Sequence, residues 1–217
     1  MGTSNSLNQM KNGVFINCPY DSDYLNILHV LIFLVAKFDC VPKLAVESKE
    51  SSDRMNKILR LIEESTIGIH DISRMEYTPK NPLVRFNMPF ELGIDYAYQK
   101  YCSKGKKKLL ILESEKYLSK RTFSDLSGID IEAHGGKISE VIKILRNFFC
   151  DIFELSDVEA PPKLENEYYT KFHPWLRTKL LNLGFSEKDY LKELDIYEYI
   201  KYSLEYVSAG SIKSDPE

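Results

Sequence analysis

Short runs of β-favouring apolar residues alternate with amphipathic helical segments over the first 150 residues, and this alternation restricts the fold more than any other feature. Val14-Phe15-Ile16-Asn17-Cys18-Pro19 has the pattern of a buried strand halted by proline. Leu28, Leu31, Ile32, Val35 and Phe38 then recur at helical spacing, with Asp21 or Ser22 as candidate N-caps. Val41 to Val46 is a weaker second strand, and Ser51-Ser52-Asp53 can cap a helix striped by Met55, Ile58, Leu59 and Ile62. Thr66 to Ile72 is a third strand. After a loop with Pro79 and Pro82 comes a helix from about Met88 to Tyr101, then a fourth strand, Lys107 to Leu112. A polar segment around Ser124 to His134 leads to a closing helix, Ile138 to Phe153.

Strands alternating with helices build βαβ units. The predicted fold is therefore α/β: a mainly parallel four- to five-stranded sheet with helices on both faces, spanning residues 13–154. Such sheets bind ligands beyond the carboxyl ends of their strands. That puts the loops after Cys18, Val46, Asp71 and Leu112 on one rim. Residues 155–165, with Pro161-Pro162, read as a linker, and residues 163–208 as a small helical appendage stopped in part at Gly184. Tyr168, Tyr169, Phe172, Trp175 and Leu176 either give that appendage an aromatic interface surface or pack on the main domain.

Composition narrows the function. The net charge of −3 disfavours a duplex nucleic-acid surface, which usually carries a basic excess. Residues 151–217 hold 14 acidic and 8 basic side chains, so the preceding part is mildly basic, a balance that suits a small anionic ligand. Cys18, Cys40, Cys102 and Cys150 form no CxxC pair and read as reduced cytosolic thiols. The polar stretch Met1 to Asn12 lacks a secretory signal, and the most apolar run, Ile27 to Ala36, is about half the length a bilayer requires. The expectation is a cytoplasmic protein with no membrane partner. No Walker loop, GxGxxG, HExxH or GxSxG is present, and no metal site is predicted.

The densest cluster of chemistry-bearing residues is Arg85-Phe86-Asn87-Met88-Pro89-Phe90-Glu91-Leu92-Gly93. Asn87 can cap the helix, with Pro89 in the first turn and Gly93 allowing close approach of a backbone or ligand. Glu91 in that turn can anchor a ribose, act as a catalytic carboxylate, or only stabilise the helix end. The helix start would hold it ionised. Asp71 falls on the predicted rim between His70 and Arg74, where the alternative is a loop-capping Asx turn. Asn17, Pro19, Tyr20 and Asp21 share the rim, and Tyr20 can stack on a base or simply pack. Ser124-Asp125, Asp130 and His134 can complete the pocket or make a turn. His29, in an apolar helix, reads as a core histidine, and Lys104 to Lys108 as a solvated turn.

Phe15 to Asp21, Ile69 to Arg74 and Arg85 to Gly93 together resemble a bacterial family of short TIR-like proteins, itself similar to nucleoside 2-deoxyribosyltransferases. The resemblance covers roughly residues 13–150. It implies a TIR-like or flavodoxin-like fold, with Glu91 in the position of the catalytic glutamate and Asp71 in that of the substrate-binding aspartate. Where the transferases carry an Asp-Gly-Thr-like element, this chain has Arg85-Phe86-Asn87, and Arg85 points to a phosphate-bearing substrate. TIR enzymes cleave the nicotinamide N-glycosidic bond of NAD with one glutamate. The implied activity is thus cleavage or exchange of a nucleotide's N-glycosidic bond, with NAD as substrate and no bound cofactor. The setting would be anti-phage defence, with a homo-oligomer or a defence-system partner protein. A nucleoside or deoxynucleotide N-glycosidase and a non-catalytic nucleotide-sensing or scaffold subunit are the alternatives.

Overall fold

A computed structural model describes residues 12–45, 54–74, 86–119, 129–187 and 190–211. The strands are β1 (Gly13–Asn17), β2 (Val41–Lys43), β3 (Ile67–Asp71), β4 (Lys108–Glu113) and β5 (Ile131–Ala133). All their pairings are parallel, in the order β2-β1-β3-β4-β5. This is the flavodoxin-like doubly wound order, whose switch point lies between β1 and β3. Phe15 pairs with Gly68 and Asn17 with His70, while Asp71 pairs with Leu112. The expected parallel α/β sheet is therefore present. Its fifth strand is a three-residue edge inside the segment read only as polar.

Helices α1 (Leu25–Lys37) and α4 (Ile138–Ile152) pack together on one side of the sheet. On the other lie α2 (Arg54–Glu63) and α3 (Asn87–Ala97), which a π-helical turn (Tyr98–Cys102) extends. Strand alternation divides the core accordingly. Val14, Ile16, Ile67, Ile69, Leu110 and Leu112 join α1 and α4 in the main apolar cluster. Phe15 faces the other way, into a smaller cluster with Ile58 and Ile62 of α2 and partly buried Ile94 and Tyr98. Met55 and Leu59, expected in the apolar stripe of α2, remain exposed.

The C-terminal part differs from an appendage on a linker. Pro161-Pro162 open helix α5 (Pro161–Glu167), where missing N–H groups cost nothing. A π turn (Tyr168–Phe172) precedes Pro174 in α6 (His173–Asn182), and α7 (Tyr190–Glu193) and α8 (Ile196–Ser211) follow. Gly184 takes φ +90° just past α6, and Phe185 N–H donates back to Leu180 O, a glycine stop as expected. These helices cover α1, whose ten residues from Ile27 to Ala36 are all buried. Phe33 of α1 packs against Tyr168, Phe172 and Tyr206. Tyr168, Phe172 and Leu176 are thus core residues, Trp175 packs partly buried beside them, and Tyr169 stays 44% exposed. His29 stacks on Tyr199 at 3.9 Å between centroids, a core histidine as expected. No helix among the described residues is long and apolar enough to cross a membrane.

Gly68 is required by what crosses above it. A Cβ there would lie 2.4 Å from Asp95 Oδ2, 2.7 Å from Leu109 Cδ2 and 3.0 Å from His70 Nε2. None of those groups has room to retreat in the centre of a sheet, so Gly68→Ala is expected to cost about 3 kcal/mol or more, read by urea unfolding. A loss under about 1 kcal/mol would show that α3 can shift away from β3.

Candidate functional site

The rim at the β1/β3 switch point collects most of the residues singled out by sequence, in roles that burial decides. Asn17 ends β1 with its side chain buried. Its Nδ2 donates to Met88 O at 2.9 Å and reaches His70 Nδ1 at 3.0 Å, so the amide ties β1 to β3 and to the start of α3. Cys18 and Pro19 are buried after it, and Tyr20 stands 39% exposed. Neither Asp21 nor Ser22 caps α1. Tyr24 holds that position without a side-chain cap, and the Asp21 carboxylate instead pairs with Arg74 at 2.8 Å.

Asp71 is fully buried at the end of β3. Its carboxylate accepts a short hydrogen bond from the Tyr24 hydroxyl, one from Ser73 N–H at 2.9 Å, and one from His134 Nε2 at 3.0 Å. The Ser73 contact is the Asx turn considered as the alternative reading. His134 Nδ1 accepts from Gly136 N–H at 3.0 Å, so its proton sits on Nε2 and is directed at Asp71. Ser73 Oγ is 3.1 Å from that same Nε2. A nitrogen that already carries the proton cannot take one from the serine, so Ser73, His134 and Asp71 do not form a nucleophilic triad. They lock the ends of β3 and β5 to the start of α1. Beside them, Glu113 is buried at the end of β4 and accepts from Tyr117 and Ser119 N–H at 2.7 and 2.9 Å.

Glu91 is the carboxylate that this network leaves out. The backbone of α3 turns helical already at Asn87, with Phe86 at the cap position and no side-chain cap. Asn87 is therefore an exposed first helical residue, and Glu91 falls beyond the first turn, where the helix dipole has little hold. The expectation of a carboxyl kept ionised by the helix start is overturned. Glu91 is only 6% exposed, and burial pushes its pKa from 4.5 up to about 7, with Arg54 opposing. The Arg54 guanidinium, on the first residue of α2, lies 4.0 Å from Glu91 Oε1. Burial, then Asp71, Glu91 and Asp21, push the Cys18 thiol well up, so it stays protonated and is no nucleophile. Above Gly93 there is open space, since a Cβ there would meet nothing within 4 Å, so no backbone among the described residues approaches it closely.

Sequence reasoning missed Tyr24 and Arg54, and gave His134 little weight. Arg54 was findable, since it directly follows the cap cluster Ser51-Ser52-Asp53 of a helix that starts on the rim. Arg85, Ser124, Asp125 and the cap cluster lie outside the described residues. No group of three or more metal-ligating side chains is assembled among the described residues.

Fold and rim define a doubly wound parallel α/β protein with a buried, near-neutral-titrating carboxylate beside an arginine at its switch point. The chain matches no family model and no curated protein.

Proposed function

We propose that this chain cleaves or exchanges the N-glycosidic bond of a nucleotide, with NAD the favoured substrate and Glu91 the catalytic carboxylate. The observation that carries this reading is Glu91 itself: a buried carboxyl, left out of the Asp71 network, at the carboxyl edge of a parallel sheet and next to a guanidinium. A carboxylate below the sugar stabilises the cation that develops at C1′ when the bond to the base breaks. With a pyridinium substrate the bonding pair goes to the ring nitrogen and nicotinamide leaves neutral, so no proton need be supplied. Water then adds to C1′ and loses a proton. Arg54 offers the planar donor pair that a pyrophosphate accepts, the part sequence assigned to Arg85. Asp71, with its oxygens occupied by Tyr24, Ser73 and His134, organises the rim, and Asn17 holds α3. Tyr20 and Pro19 would border the sugar and base. The TIR-like resemblance adds the anti-phage setting and a homo-oligomer or partner protein.

One observation favours the alternative of a nucleoside or deoxynucleotide N-glycosidase. A carboxyl titrating at about 7 is half protonated at neutral pH and can donate to a leaving base. The pH profile separates the two. Purified protein is incubated with NAD and a panel of nucleosides and nucleotides, and released base is measured by chromatography from pH 5 to 9. For NAD, kcat/KM is expected to rise with pH through a midpoint near 7, since the free enzyme must lose the Glu91 proton. The kcat limb should lie lower, because a bound pyridinium cation favours the ionised carboxyl. A limb that falls through pH 7 on a neutral nucleoside would move the assignment to acid catalysis. No base released from any compound would leave the sensing or scaffold subunit.

A further inference from the structure

We infer that His70 is the positioning residue that sets Glu91, by holding helix α3 at two points on either side of it; this rests on the catalytic reading of Glu91. The inward face of α3 carries Met88, Glu91, Leu92 and Asp95, so Glu91 has an anchor point three residues before it and another four residues after. Both anchors run to the one imidazole. Asn17 Nδ2 donates to Met88 O at 2.9 Å and reaches His70 Nδ1 at 3.0 Å. Only the amide nitrogen can donate to a carbonyl, so the orientation of Asn17 is settled and His70 Nδ1 is the acceptor. The His70 proton therefore sits on Nε2 and is donated to Asp95 Oδ2 at 3.0 Å.

The second anchor continues inward. Lys107 Nζ lies 2.7 Å from Asp95 Oδ1 and donates to Ile62 O at 2.6 Å, which closes the charge balance of Asp95 and ties α3 to the end of α2. His70, Asp95 and Lys107 are all buried. The basic run read as a solvated turn thus contains a buried cation whose pKa burial lowers while Asp95 opposes. Burying such a chain is costly unless every member is satisfied. On this side of the sheet the apolar clusters are small, so hydrogen bonds, rather than bulk packing, fix where α3 sits. Gly68 leaves the room that the His70–Asp95 contact occupies. A hydrogen-bonded seat has one register, whereas an apolar seat tolerates sliding, and a carboxylate that must face C1′ needs the former.

The test uses two half-replacements in the full chain. His70→Asn retains an acceptor for Asn17 and gives up Asp95; His70→Gln retains a donor toward Asp95 and gives up Asn17. Glu91 titration is followed by carbon NMR of labelled glutamate, alongside kcat and KM for base release. Each folded variant is expected to move the Glu91 midpoint away from about 7 and to lower kcat by about tenfold or more, with KM changed much less. Arg54 is the charged group that the carboxyl senses beside its own burial, and it is not altered. If the His70 variants do not fold, Asn17→Ala removes one anchor, and Asp95→Asn with Lys107→Met removes the buried charges together, with the same readouts. Folded variants in which the Glu91 midpoint stays where it is in the unaltered protein overturn the positioning role. Midpoints that move in a protein that releases no base from any nucleotide uphold the positioning and overturn only the glycosidic reading.

Discussion

Glu91→Gln is expected to lower base release by about a hundredfold or more and, at the same time, to make the protein more stable above neutral pH. On the proposed mechanism, the first effect follows from removing a preorganised charge that faces the developing cation, while glutamine keeps the size of the side chain. The second follows from the raised pKa. Glu91 titrates at about 7 in the folded chain against 4.5 as the unperturbed value, so the folded state holds its proton to higher pH than the unfolded state does. Its contribution to stability is fully present below pH 4.5, is lost as pH rises through 7, and is flat beyond. The loss amounts to about 3 kcal/mol. Glutamine carries no such penalty, so at pH 8 its unfolding free energy should exceed that of the parent by about that amount, and near pH 4.5 the two should converge. A folded Glu91→Gln chain that retains full activity would end the catalytic claim, and one less stable than the parent at pH 8 would assign Glu91 to structure instead.

Acid is expected to act through the other side of the molecule. His29 is buried against Tyr199, and burial lowers its pKa to about 3. His173, at the start of α6, is lowered to about 4 by burial, and its Nε2 has no hydrogen-bond partner among the described residues. A depressed histidine contributes stability that is present above the unfolded pKa of 6.5 and lost as pH falls toward the folded value. Below 6.5 each should cost about 1.4 kcal/mol per pH unit, so at pH 5 the pair costs about 3–4 kcal/mol. Glu91 works in the opposite direction over the same window, so the parent chain shows only part of this loss. The measurement is therefore a difference: urea unfolding from pH 7.5 to 5 for the parent and for His29→Leu/His173→Leu. The double variant should lose much less stability on acidification. Parallel pH curves would place the acid-sensitive groups elsewhere.

The rise of the Glu91 pKa and the fall of the two histidine pKa values have the same leading cause, removal from water, which no partner among the described residues offsets in full. Asp71 illustrates the other outcome. Both carboxylates were singled out at the ends of rim elements, yet Asp71 meets a hydroxyl, a backbone N–H and an imidazole, while among the described residues Glu91 meets the half-exposed Arg54 at 4.0 Å. The TIR-like resemblance implied that they are partners in one reaction; their surroundings set them apart, with Asp71 held by three donors and Glu91 buried beside an arginine. Of the aromatic residues that suggested an interface, Tyr168 and Phe172 cover α1, while Tyr169 stays exposed.

By itself the sequence determined the parallel α/β class, the rim on which Asn17, Asp71 and Glu91 gather, the core fate of His29 and the glycine stop at Gly184. Each of these rests on local physics: apolar periodicity, the rule that βαβ units bind beyond strand ends, and the positive φ that glycine accepts at low cost. The all-round apolar run Ile27 to Ala36 even carried notice that α1 would need cover on every side, although only the structure shows the C-terminal helices supplying it. What tertiary structure alone decided are the quantities that depend on neighbours distant in sequence. Asn17 and His70 meet across 53 residues, His70 and Asp95 across 25, and Asp71 and His134 across 63. A one-residue earlier start of α3 took Glu91 out of the first turn and gave its ionisation to burial instead of the helix dipole. Lys107 looked like part of a solvated run because nothing next to it in the chain announces Asp95. Periodicity reports which face a side chain takes; the partner waiting on that face, and hence its charge and its work, is set by the fold.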